Sequence, residues 1–406
     1  MTIGFWRSWA LVVGMMVGSG IFTLPAILAP YGSYSFAAWL VTAFGALCLV
    51  FSLSHLATRN PKAGGPYAYV LEAFGKYPAM IVAWGYWISV VIAVAAIAIS
   101  FSGYLGVFFP IIAGNQFIST LVSLSVVWAF TYISLRGVEE ASIVQLITTV
   151  LKIIPLLFIG LAGLMVGDVT SVPALNPHNE SLPIMISGIL LLIMWSYIGI
   201  ESATIPADET INPKQTIPRA LIFGTLTATV VYVISLAGVM ALLSLDDLSA
   251  STAPFADAAF SLFGTTGAIV IGIGALISIG GALNACVFLT GVVPNVGAKD
   301  HLFPKFLAHQ SKNGTGARAI ILSSSIASIA ILINSNKGLL QTFELMILIS
   351  TFSVLIAYLG AALASIKLQF KDQKHGIKIN FFTLIIAILA SLFSASAIFG
   401  AWTLYQ

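Results

Sequence analysis

The sequence predicts an all-α integral membrane bundle, and three observations carry that expectation. Of 406 residues, 59% are hydrophobic and 8% charged, with a mean hydropathy of +1.03; a water-soluble core cannot absorb so much apolar surface. The apolar runs reach about 20 residues or more, enough for helices to cross a hydrocarbon core of roughly 30 Å. Barrel strands would need only about 10 residues of alternating polarity. The third observation is the placement of the cations, which depends on where the spans fall.

Apolar runs between turn signals give spans near 6–29, 34–57, 78–109, 116–135, 141–166, 182–206, 218–243, 264–296, 318–335, 340–366 and 379–402, eleven in all. With a cytoplasmic N-terminus, 15 of the 17 basic residues fall on the inner side, Lys337 falls outside and Lys152 lies within the fifth span. One missed or invented helix would scramble that alternation from its position onward, so the positive-inside asymmetry also checks the count. An odd count places the C-terminus outside. The first apolar run continues into Gly, Pro and Tyr without a small-residue cleavage site, so a first span is expected rather than a signal peptide. The chain reads as one transmembrane domain, residues 1–406.

Composition also excludes function classes. Cys48 and Cys286 lie within apolar spans and read as small packing residues, not as a disulfide or metal pair. The five histidines have no metal-ligand spacing. No cofactor is expected, no clustered nucleophile or carboxylate pair suggests an enzyme, and no basic domain with interleaved aromatics suggests nucleic acid. A channel remains the alternative from another class, because broken helices also line pores.

Two spans carry helix breakers at their middle. "GMMVGSGIFTLP", residues 14–25, holds Gly14, Gly18 and Gly20 and ends in Pro25. Glycine costs about 1 kcal/mol and proline about 3 in a helix interior, and irregular backbone at membrane depth survives only where protein or a water-filled cavity satisfies it. Alone, the Gly14–Gly18 spacing also fits a GxxxG packing face. The balance shifts with "MWSYIGIESATIP", residues 194–206, five spans later, which carries Gly199, Glu201 and Pro206. Paired broken helices point to an inverted-repeat transporter, with repeats over about 6–166 and 182–366 and an extra helix at about 379–402. Half-helix N-termini attract an anionic group and freed carbonyls a cation, which suits an α-amino acid.

These segments, with "AGGPYAY" (63–69), "WSYIGIES" (195–202) and "NPKQTIPRA" (212–220), resemble the amino acid-polyamine-organocation (APC) transporter superfamily over nearly the whole chain. Within it the likeness is to bacterial arginine/agmatine-type antiporters and to proton-coupled amino acid transporters. The resemblance implies a LeuT-like 5+5 fold in a bacterial cytoplasmic membrane, as monomer or homodimer among lipid. It places the substrate carboxylate on Gly18, Ser19 and Gly20 and the amino group on carbonyls near Met16, Trp195 and Ile198. Trp195 would wall the site, Tyr86 and Tyr358 would gate it, and Ser350 would add a polar contact. Residues that hold guanidinium in the antiporters align with Val94 and Ala282, so a neutral or apolar amino acid is the expected substrate, with a basic amino acid or polyamine as the alternative.

Two buried charges complete the site. Lys152 in "TTVLKIIPLL" lies about 16 Å along its span by helical rise, too deep to snorkel easily, and an ionisable group at that depth marks function by default. The resemblance implies that Lys152 couples protons, as a lysine here does in proton-coupled members. Glu201 is either a gating and proton-linked carboxylate, as the resemblance implies, or a cap on freed backbone N–H groups.

Overall fold

The computed structural model describes residues 3–61, 64–136, 142–177, 179, 181–205, 207, 210–309, 316–376 and 378–403. Lys62, Ala63, His178, Pro206 and Lys312 lie outside them. The described chain is helical. In order come α1 (Phe5–Met16), α2 (Ser19–Leu28), α3 (Tyr34–Arg59), α4 (Pro66–Phe74), α5 (Lys76–Leu105), α6 (Pro110–Gly114), α7 (Gln116–Leu135), α8 (Ser142–Val166) and α9 (Leu182–Met194). They are followed by α10 (Pro213–Leu242), α11 (Leu245–Ala250), α12 (Pro254–Lys299), α13 (Ala317–Ile333), α14 (Leu339–Lys374) and α15 (Phe381–Thr403).

Among the described residues nine helical segments are long and apolar enough to cross a membrane, and two shorter apolar ones lie at Leu182–Tyr197 and Ala317–Ile333. The last two fall where the sixth and ninth spans are expected. The sixth is short because α9 stops at Met194 and the chain passes into two 3-10 turns, Trp195–Tyr197 and Ser202–Thr204. It does not resume as a long second half-helix there. α12 is longer than its apolar run because helix precedes the kink at Gly264, whose φ of +63° reads as glycine backbone.

Burial sorts the helices into an inner and an outer set. The window spanning α1 and α2 is 89% buried, whereas α7, α12 and α15 show 28%. α14 lies along α5, and α10 along α3 and α8. The α8–α10 seam is made of glycine: a Cβ on Gly163 would stand 2.2 Å from the Gly238 carbonyl oxygen, and one on Gly238 would stand 2.2 Å from that of Gly160. The two backbones therefore touch without side chains between them.

At the lysine-rich end an ion cluster ties three elements together. Arg59 at the end of α3 donates from Nε and Nη2 to the two carboxylate oxygens of Asp372 on α14, at 2.7 and 2.8 Å. It also pairs with Glu72 on α4, which accepts from Asn60 Nδ2 at 2.9 Å. The fork geometry suits a guanidinium and not an ammonium. Because the cluster is only half-buried, Asp372→Ala is expected to cost about 1 kcal/mol of stability. The apparent melting midpoint in detergent checks this, and an unchanged midpoint would show that the fork carries no net stabilisation.

Candidate functional site

The site begins where α1 fails. After Met16, Val17 turns out of helical geometry (φ −78°, ψ 85°), Gly18 is extended (φ −139°, ψ −142°) and α2 restarts at Ser19. No side chain caps the new helix start, so its first N–H groups and the positive end of its dipole face the break. The second break mirrors this crudely: Ile198 is extended and Gly199 has φ +105°, conformations that interrupt the backbone after Tyr197.

The two breaks touch. A Cβ on Gly20 would lie 2.6 Å from Ser196 Oγ and 3.0 Å from Trp195 Cδ1, and one on Gly199 would lie 2.8 Å from Met15 Cβ. At Gly18 it would meet Ala282 Cβ of α12 at 2.9 Å. Glycine is thus required at Gly20 and Gly199 for close approach, and at Gly199 also for its positive φ.

Neighbouring helices satisfy part of the freed backbone, as low dielectric demands. Tyr232 on α10 donates to the Ser196 carbonyl at 2.9 Å, and Ser278 on α12 to that of Val17 at 3.2 Å. Tyr104 on α5 donates to the Phe22 carbonyl at 2.7 Å, while Thr23 and Ser100 share a 2.7 Å bond that fixes α2 on α5. The buried hydroxyls of Ser19, Ser196 and Ser202, all at the breaks, have no hydrogen-bond partner among the described residues.

Between the breaks lies a cavity of about 40 Å³, room for about three water molecules. Its wall comprises Met15, Met16, Gly18, Ser19 and Gly20 from the first break and Trp195 and Ile198 from the second. Ala93 and Ile97 of α5 and Ala282 and Cys286 of α12 complete it. Trp195 is held edge-on against Phe343 of α14, with ring centroids 6.3 Å apart. Val94 is buried, but the cavity face of α5 is Ala93 and Ile97, about 100° around the helix. Ser350 is likewise away from the wall: its Oγ donates to the Ser89 carbonyl at 2.8 Å and locks α14 to α5.

Two polar devices flank the cavity. Glu201 is buried, and each carboxylate oxygen accepts a 2.6 Å bond from a tyrosine: Oε1 from Tyr86 on α5 and Oε2 from Tyr358 on α14. The N–H of Gly199 reaches the Tyr358 hydroxyl at 3.4 Å. Glu201 therefore pins the second break to two other helices. On the opposite flank, buried Lys152 of α8 donates from Nζ to the Gly14 carbonyl at 3.2 Å, just before the first break. A Cβ on Gly281 of α12 would stand 3.3 Å from that Nζ, so the ammonium lies between α1 and α12.

Sequence reasoning passed over Met15, Ala93, Ile97 and Cys286. The one-turn spacing of Ala93 with Ile97 and of Ala282 with Cys286 was available as a signal, but only once one member of each pair had been placed on the cavity.

Two broken membrane helices meet at a small cavity, with a buried carboxylate and a buried ammonium beside it, the arrangement expected of a membrane transporter. The sequence matches the amino acid permease family over residues 3–404, and the chain belongs to that family, within the APC superfamily. Among curated proteins it is 30% identical to the arginine/ornithine antiporter of Pseudomonas aeruginosa, over 90% of this chain and 79% of that one. It is 29% identical to the cadaverine/lysine antiporter of Escherichia coli K12, over 98% and 90% of the two chains. A third relative, the arginine/ornithine antiporter of Latilactobacillus sakei, is 27% identical over 99% of this chain and 86% of its own.

Proposed function

We propose that the protein is an antiporter of basic amino acids or their diamines, working by alternating access in a bacterial cytoplasmic membrane. The observation that carries the substrate class is the set of relatives: each is named for cationic substrates and each aligns over at least 90% of this chain. On that comparison the expected preference for a neutral amino acid becomes the second reading. It keeps one observation in its favour, the side chains of the cavity wall, which are apolar apart from the Ser19 hydroxyl, the Trp195 indole N–H and the Cys286 thiol and include no carboxylate. Apolar walls offer a buried cation no partner, and its desolvation costs several kcal/mol.

In this reading the chain has eleven spans, the N-terminus in the cytoplasm and a LeuT-like pairing of two five-span repeats. The N–H groups at Gly18, Ser19 and Gly20 bind the carboxylate, and carbonyls near Met16, Trp195 and Ile198 take the α-amino group. A cavity of about 40 Å³ is too small for an amino acid, so the breaks must part before substrate enters. Tyr86 and Tyr358, both held by Glu201, are the gate that parts them, and Lys152 responds to protons.

Counterflow in proteoliposomes tests the substrate. Vesicles preloaded with arginine, lysine, ornithine or cadaverine should take up labelled arginine or lysine at least tenfold faster than empty ones. Acceleration by internal leucine, with the basic compounds inert, would transfer the assignment to neutral amino acids. Ion conductance without counterflow would make the protein a channel.

A further inference from the structure

The lysine-rich end of α14 has a surface that the carrier reading does not use. At 1.5 Å per residue this helix is about 54 Å long, well beyond a hydrocarbon core of roughly 30 Å. Lys367 lies nine residues beyond Tyr358, about 14 Å farther along the helix. If the two breaks sit near mid-membrane, Lys367 reaches the hydrocarbon boundary. Lys367, Lys371 and Lys374 follow at spacings of four and three residues, one stripe of the helix. All three are exposed, as is Lys378 in the connection to α15.

Phe370 on the same helix and Phe381 at the start of α15 are 47% and 74% exposed. Asp372 is the sole acidic residue after Glu344, and Arg59 grips it with both carboxylate oxygens. Among the described residues no carboxylate lies within ion-pair distance of the four lysines. One of them, Lys367, rests over the Phe74 ring, 4.4 Å from its centroid.

We propose that this face binds the phosphodiester headgroup of an anionic phospholipid, with the lysines on the phosphate and the phenylalanines at the boundary between headgroup and acyl chains. Charge complementarity selects the headgroup, since basic clusters just outside a membrane helix attract anionic lipid. The exposed aromatics select a lipid over a free phosphate, because a soluble anion would gain nothing from them. α14 also carries Tyr358 and Asp372, so the lipid would hold the helix that forms one side of the gate.

Native mass spectrometry of delipidated protein in mixed micelles tests this, with dioleoyl phosphatidylglycerol against dioleoyl phosphatidylcholine. Phosphatidylglycerol should be retained preferentially, with a loss of roughly fivefold in affinity for each lysine neutralised. The quadruple variant K367Q/K371Q/K374Q/K378Q should lose the preference, and the corresponding four-arginine variant should keep it. Should the glutamine quadruple fail to fold, the exposed single variants K371Q and K374Q carry the same comparison. Equal retention of the two lipids, or a preference unchanged by the substitutions, overturns the proposal. Displacement of the lipid by millimolar inorganic phosphate does so as well, by showing a free-anion site.

Discussion

Gly20→Val is expected to abolish transport in a protein that still inserts and purifies. The first methyl group alone would stand 2.6 Å from Ser196 Oγ and 3.2 Å from Ser196 Cα, and the backbone atom cannot rotate away. Overpacking of this kind costs about 1–3 kcal/mol, an approximately 5- to 150-fold penalty on the conformation that joins the two breaks. Gly20→Ala should fall within that interval and Gly20→Val below detection. Gly4→Ala is the control, because nothing lies within 4 Å of a Cβ there. The readout is counterflow per unit of reconstituted protein; a Gly20→Val carrier running at the parental rate would mean that the breaks need not touch.

Lys152→Ala is expected to flatten the pH profile of transport. Among the described residues the ammonium is the only Lys or Arg head group set deep in a membrane-length helix, and its bond to the Gly14 carbonyl links it to the first break. Losing its proton would weaken that bond and loosen the break end of α1, while Thr149 Oγ1 still holds the Ala10 carbonyl at 3.2 Å. In the variant the Gly14 carbonyl loses this donor, a penalty of about 1–3 kcal/mol for a buried group, so the rate should also fall. The diagnostic outcome is the shape of the profile rather than its height. Uptake measured from acid to alkaline pH with an unchanged profile would falsify the coupling role, and Lys152→Arg separates charge from titration because arginine stays protonated.

Much of this fold was legible because the bilayer imposes a length and a polarity on each span. The apolar runs at 34–57 and 116–135 correspond closely to Tyr34–Arg59 and Gln116–Leu135. The first break was legible because its three glycines and proline, which alone also fit a packing face, had a counterpart at residues 194–206 five spans later. The second was legible as a break but not as a shape: the sequence marks an interrupted span at "WSYIGIES", and it folds as 3-10 turns about an extended Ile198. The cavity wall on α5 was hidden for a different reason. Residues 89–100 are all buried, so the helix is apolar on every side and no periodicity separates Val94 from Ala93. Helix ends were blurred too, since α14 continues to Lys374, past the last apolar residue of its run, where lysines favour helix as well as leucine does.

The glycine seam between α8 and α10 has a mechanical consequence. With Gly163 and Gly238 in backbone contact, no side chain lies between the two helices to cushion a displacement, so pushing one toward the other drives backbone against backbone. α8 carries Lys152, tied to the first break. α10 carries Tyr232, tied to the second through the Ser196 carbonyl. A displacement of either helix is therefore conveyed to both halves of the site through the backbone seam, with no side chains interposed there.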